Sequence, residues 1–311
     1  MDWPEINVET QTLILPVFEE LGIEVAMLRE DLIDSEISGN KWRKLKYNVL
    51  KAEEKAVDTL LTFGGAFSNH IAATAAAGKR FGLKTVGVIR GEDDDTNPTL
   101  QKAKADGMEL YFVSRTDYRD KNLEEFKAHL RDRFGFYHAV PEGGSNFLGV
   151  NGCMETLKPD HEKYNYICGA CGTGTMMSGI ILSLKPHQKA LCFPVLKGDF
   201  MHDEINNHLL QFLQDEVAVE DYQDQFEVIN TYHGGGYAKV NAELVDFIQW
   251  FKAETNITLD AVYTSKLVRG VIEEAKKGKF QRGDKVLIIH SGGVQGNLGM
   301  NTRLGLNLPV S

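Results

Sequence analysis

From residue 58 onward, short apolar runs alternate with segments of helical periodicity, and this alternation restricts the chain more than any other feature. "TLLTFGG" precedes the alanine-rich "SNHIAATAAAGKRFG", which Gly82 closes. "KTVGVIR" precedes an acidic loop and "NPTLQKAKADG", where Asn97 caps a helix and Pro98 takes its first position. "ELYFVS" leads to a charged helix predicted over 118–134, and "FYHAV" to one near 146–158. Four such units in succession form a parallel sheet covered by helices. The pattern restarts with "YNYICGA", a glycine loop and "MMSGIILSL". It continues as "KALCFPVL" with helix 201–214, "FEVINTY" with helix 240–253, "AVYT" with helix 265–277, and "KVLIIH". A chain of 311 residues exceeds the size at which one core stops growing. The expected fold is α/β: two three-layer α/β/α lobes with parallel-type sheets, a smaller one over 48–156 and a larger one formed by 1–47 with 157–311.

Charge narrows the function. The 34 basic and 44 acidic residues leave a net −10, which argues against a nucleic-acid or anionic-membrane partner but allows a local basic pocket for a small anion. No apolar run approaches the roughly 20 residues of a membrane span, and "MDWPEINVET" lacks the pattern of a signal peptide, so the cytoplasm is the expected setting. Cys168 and Cys171 would make half a zinc site. No second pair stands at a usable spacing to Cys153 or Cys192, so no metal is expected and buried small residues are the better account.

Two glycine loops follow predicted strands and open helices, where free backbone N–H groups favour anions. In Cys171-Gly172-Thr173-Gly174-Thr175, glycines let the backbone close on a phosphate and threonines add hydroxyls. A dinucleotide fingerprint would need an acid about 20 positions on, but "LCFPVLKG" has none before Asp199. In "FGGAFSNH", Ser68 or Asn69 can cap the helix, and both stand at a strand's C-terminal end, where ligands sit in α/β sheets. Finally, "EISGNKWRKLKYN" crowds Lys41, Arg43, Lys44 and Lys46 into an apparent helix start, where the backbone dipole disfavours cations. Either this is a solvated basic face or one lysine is held there for its nitrogen.

Taken in order, "SGNKWRKLKY", "GGAFSNHIAATAAAG", "PEGGSN", "ACGTGTMMSG", "GGGYAKVN", "VYTSKLVRG" and "HSGG" resemble the D-cysteine desulfhydrases and 1-aminocyclopropane-1-carboxylate (ACC) deaminases. These are pyridoxal-phosphate (PLP) enzymes of the tryptophan-synthase β-subunit fold, and the likeness runs from about residue 10 to 300. It implies PLP as cofactor, a small amino acid as substrate and a homodimer. It implies that Lys41 forms the internal Schiff base, with a cationic neighbourhood of Arg43, Lys44 and Lys46 lowering its pKa. Lys44, three residues on, shares its helix face and is placed to reach the phosphate. Gly172, Thr173, Gly174 and Thr175 match the phosphate cup, Asn69 the partner of the 3′-oxygen, and Ser68 the serine near the substrate carboxylate. Tyr237 and Tyr263 match two tyrosines that face the substrate, and His70 either lines the site or packs in its helix.

Two positions separate the branches. Where the deaminases resemble one another in a glutamate facing the pyridine nitrogen, this chain has Thr264, as the desulfhydrases do; Ser291 stands where deaminases have leucine. A hydroxyl does not hand the ring nitrogen a proton, so the ring is the poorer electron sink. That suffices when a thiol leaves from Cβ as the Cα proton departs, and it makes α,β-elimination of D-cysteine the leading expectation, with ACC deamination second and an idle PLP-binding protein third. Thr264 is also placed to act as a helix cap. The chain departs from the desulfhydrase pattern at Ala72, where that pattern has arginine.

Overall fold

The protein is described here from a computed structural model covering residues 2–94 and 96–310. Asp95, in the acidic loop, lies outside the described residues. Among the described residues ten strands form two sheets: β1 (Thr10–Thr12), β2 (Glu24–Leu28), β3 (Thr59–Gly65), β4 (Lys84–Arg90), β5 (Met108–Val113), β6 (His138–Val140), β7 (Tyr166–Cys171), β8 (Lys189–Pro194), β9 (Phe226–Val228) and β10 (Lys285–Ile289). The smaller sheet has the order β5-β4-β3-β6 and is wholly parallel. The larger has the order β1-β2-β10-β7-β8-β9 and is parallel except for β1, which runs antiparallel to β2.

Apolar residues occupy both faces of the larger sheet, as parallel sheets covered by helices require. Val25, Met27, Val286 and Ile288 pack with Leu267 and Val271 on one side. Their neighbours Ala26, Leu28, Leu287 and Ile289 pack with Met177, Ile181 and Ile205 on the other. The helix Asn40–Glu54 buries Trp42, Leu45, Val49 and Ala52 against Leu60 and Val140 of the smaller sheet and against Ala73, Ala76 and Ala77. The join expected at 48 therefore falls inside a helix, and the one at 156 falls just beyond the helix Phe147–Cys153.

Three predicted elements differ, each for a local reason. The helix expected over 118–134 is two helices, Arg115–Arg119 and Glu124–Phe134. Ser114 caps the first by accepting from the Asp117 N–H, and the first helix ends in tight backbone turns, Asp120 N–H to the Asp117 carbonyl and Leu123 N–H to the Asp120 carbonyl. The helix near 146–158 ends at Cys153, and Lys158, preceding Pro159, is extended. "AVYT" forms no strand. The carboxylate of Asp260 takes the N–H groups of Val262, Tyr263 and Thr264 and coils that stretch into the helix Thr264–Lys276.

Two glycines permit close backbone approach. A methyl on Gly39, whose φ is +63°, would lie 1.9 Å from the Ser291 carbonyl oxygen. One on Gly152 would lie 1.9 Å from the Arg43 carbonyl oxygen, where the helices Phe147–Cys153 and Asn40–Glu54 cross. Helix propensity alone gives Gly152→Ala a gain of about 1 kcal/mol. The collision reverses the sign, so urea unfolding is expected to show a loss of about 2 kcal/mol or more; a stabilised variant would contradict this packing.

Candidate active site

The expected site residues lie at the C-terminal ends of parallel strands: Ser68 and Asn69 beyond β3, residues 172–175 beyond β7, and Ser291 beyond β10. The turn Pro141–Asn146, beyond β6, joins them. Gly143 and Gly144 both have left-handed φ, 72° and 74°, and this aims the Gly143 carbonyl at the lysine helix. Lys41 Nζ donates to it at 3.1 Å and Lys44 Nζ at 3.4 Å. Burial first, and then the Lys44 ammonium, pull the Lys41 amine well below the ordinary lysine range. Burial also lowers Lys44.

The rest of the basic run acts otherwise than expected. Arg43 is buried in an ion pair with Glu30 at 2.8 Å, and Lys46 pairs with Glu155 at 2.7 Å. Their charges are answered locally, leaving Lys44 as the cation that bears on Lys41.

The turn 172–175 sits where β7 meets the helix Thr175–Leu182, with Gly174 at φ 75°. Its hydroxyls form a chain: Thr173 to Thr175 at 2.8 Å, and Thr175 to Ser145 at 2.9 Å. His208, from the helix Met201–Leu213, donates from Nε2 to the Thr173 carbonyl at 2.9 Å, and its buried Nδ1 has no partner. Burial lowers its pKa. Ser145 and His208 carry no motif of their own. The signal within reach was "PEGGSN", whose serine follows two glycines; His208 stands in an ordinary amphipathic helix.

Tyr263 closes another side. A methyl on Gly172 would lie 3.2 Å from its ring, and the Tyr237 ring meets it edge to face at 6.1 Å and 71°. Burial, followed by Tyr237 and Asp260, raises the Tyr263 phenol well above its ordinary value. Asn69 faces the turn after β10, where a methyl on Gly293 would lie 2.8 Å from its Nδ2. Ser68 caps the helix Asn69–Phe81, its hydroxyl accepting from the Ile71 N–H at 3.3 Å.

Two residues stand apart from the cleft surface. His70 is buried behind Gly144 and Lys44. Thr62 donates to the Val140 carbonyl at 2.8 Å, so its hydroxyl accepts from His70 Nε2, also at 2.8 Å, tying β3 to β6. Burial, then Lys41 and Lys44, hold this imidazole well below its usual pKa. Thr264 is 0% exposed, and its hydroxyl donates to Asp260 Oδ2 at 2.6 Å while accepting from the Asp260 N–H at 2.9 Å. Tyr263 stands at the N-cap position and Thr264 is the first helical residue, so Thr264 is not the cap and its proton is already engaged by Asp260. The Ser291 hydroxyl, by contrast, has no hydrogen-bond partner among the described residues.

A profile of pyridoxal-phosphate dependent enzymes matches residues 7–292. The chain belongs to that family. A Thermotoga maritima protein provisionally named 1-aminocyclopropane-1-carboxylate deaminase is 32% identical over 300 residues, which is 92% of this chain and 94% of the relative. An Arabidopsis thaliana protein named as a bifunctional D-cysteine desulfhydrase and ACC deaminase is 30% identical over 302 residues, covering 88% and 73%. The crystal structure of an ACC deaminase homologue superposes with a TM-score of 0.80 at 26% identity, over 96% of this chain and 95% of that one. The PLP-dependent family fits the site. The turn 172–175 offers helix-start N–H groups and hydroxyls to a phosphate, Lys44 offers a buried cation, and Lys41 offers an amine of depressed pKa to an aldehyde.

If Lys44 lowers Lys41 by charge, Lys44→Met moves the Lys41 amine toward its ordinary range. Labelling of the cofactor-free protein by an amine reagent, read at Lys41 by mass spectrometry, should then set in at higher pH; an unmoved profile would assign the whole effect to burial.

Proposed function

We propose that this enzyme is a PLP-dependent lyase that removes a β leaving group from a small amino acid, D-cysteine first, giving pyruvate, ammonia and hydrogen sulfide with uptake of one water. In this reading Lys41 would hold the aldehyde carbon, residues 172–175 with Lys44 would hold the phosphate, and Asn69 would meet the 3′-oxygen. PLP supplies the carbonyl that takes the substrate's amino group and the ring that receives electrons as the Cα proton leaves. Lys41, whose amine has a lowered pKa in the cofactor-free protein, would be the base that takes that proton. Ser68 orients the substrate carboxylate. Tyr237 and Tyr263 cover the other side; the raised phenol of Tyr263 stays protonated and can donate a hydrogen bond to the departing sulfur, which takes its proton from water after release.

One observation carries the choice of reaction. Position 264 is a threonine whose proton is held by Asp260, and a hydroxyl at 264 or 291 is too weak an acid to protonate a ring nitrogen. A poor electron sink suits substrates whose leaving group departs with the proton. ACC deamination, giving 2-oxobutanoate and ammonia, is the second reading, supported by the name of the Thermotoga relative, while the Arabidopsis relative is named for both activities. A homodimer in the cytoplasm completes the proposal and is checked by light scattering. Among the described residues no helix is long and apolar enough to cross a membrane.

The purified enzyme loaded with PLP should release sulfide from D-cysteine faster than from L-cysteine, and faster than it releases ammonia from ACC. Ammonia from ACC without sulfide from either cysteine would reverse the choice. Borohydride reduction of the loaded enzyme should leave a pyridoxyl adduct on Lys41, and its absence there would end the proposal.

A further inference from the structure

Lys266 has no part in the reading above, yet its position is costly. It is 2% exposed and lies in the first turn of the helix Thr264–Lys276, where the backbone dipole disfavours a cation. Among the described residues no carboxylate forms an ion pair with it. Asp260 attracts it from nearby, but the oxygens of Asp260 are engaged by three backbone N–H groups and the Thr264 hydroxyl. A buried cation without a counter-ion persists where another constraint holds it. Burial pulls this ammonium down to about 8 against the pull of Asp260.

What the ammonium does is specific: it donates to the Gly236 carbonyl at 2.8 Å. That carbonyl ends three consecutive glycines with φ of 61°, 90° and 117°, and Ala238 follows at 53°. Such a stretch has little intrinsic preference for one path. The lysine stem also lies against it, since a methyl on Gly234 would stand 3.3 Å from Lys266 Cε. The residue after Gly236 is Tyr237, 48% exposed, whose ring meets Tyr263 edge-on. One ring of this pair is set by the start of the helix that carries Lys266, and the other by the loop that Lys266 holds.

We infer that Lys266 is a positioning residue, anchoring the Gly236 carbonyl so that Tyr237 stays edge-on to Tyr263 above the substrate. This rests on the proposal that the two tyrosines face the substrate. Methionine matches the lysine stem and removes a buried charge, so Lys266→Met is expected to fold. In the PLP-loaded enzyme, Lys266→Met should lower kcat/KM for D-cysteine about tenfold, but less than about twofold when introduced into Tyr237→Ala, because two residues acting through one contact are not additive. Equal losses in both backgrounds would overturn the inference, since a general structural role would act in both. A second readout does not depend on turnover. Chymotryptic cleavage after Tyr237 should be about fivefold or more faster in Lys266→Met than in the unaltered enzyme, as expected of a released loop; unchanged cleavage overturns the anchor. Wild-type kinetics in Tyr237→Ala alone would instead remove the reading that the tyrosines face the substrate, and the cleavage rates would still decide for or against the anchor.

Discussion

Two lysine nitrogens directed at one backbone carbonyl set the terms for the rest of this structure. Lys41 and Lys44 both reach the Gly143 oxygen, so like charges are brought together where water screens them poorly. The fold makes this tolerable in two ways. It aims the carbonyl with two left-handed glycines, and it removes the other cations of the run from the balance through Glu30 and Glu155. The remaining repulsion falls on Lys41, whose neutral amine is the form that attacks a carbonyl carbon. The turn itself is braced from the same helix. Asn146 and Asn48 exchange amide hydrogen bonds, and Asn48 also donates to the Lys44 carbonyl.

Asp260 organises the opposite wall. A single buried carboxylate accepts the N–H groups of residues 262–264 and the Thr264 hydroxyl, and so determines where Tyr263 points and what Thr264 can donate. The comparison of threonine with glutamate at position 264 is therefore more than a comparison of two side chains facing a ring. Here the hydroxyl is turned inward and belongs to the helix start.

The glycine loops, the strand–helix alternation and the pairing of Lys41 with Lys44 were legible because each depends on local spacing. The antiparallel β1 was not, since three residues pairing with β2 leave no periodicity to read. Neither was the break between Arg119 and Glu124, where the backbone makes two tight turns that the helical periodicity does not mark. "AVYT" has strand composition, and only the carboxylate before it, acting through three N–H groups, makes it a helix entrance. His208 was hidden for a different reason. It reaches the Thr173 carbonyl across 35 residues from a helix whose pattern is fully explained by core packing. Arg43 and Lys46 looked like part of a cationic field because their carboxylates lie 13 and 109 residues away in sequence.

The close fit of Gly39 against Ser291 has a consequence for how the protein comes into being. The Asn40 N–H donates to the Ser291 carbonyl, so the start of the lysine helix is clasped to the last strand's exit, some 250 residues downstream. Contacts of such sequence separation carry a larger loop-closure cost than local ones and form slowly. During synthesis the start of the lysine helix therefore gains this clasp only after the final strand has left the ribosome, while its packing on the smaller sheet draws on residues made long before.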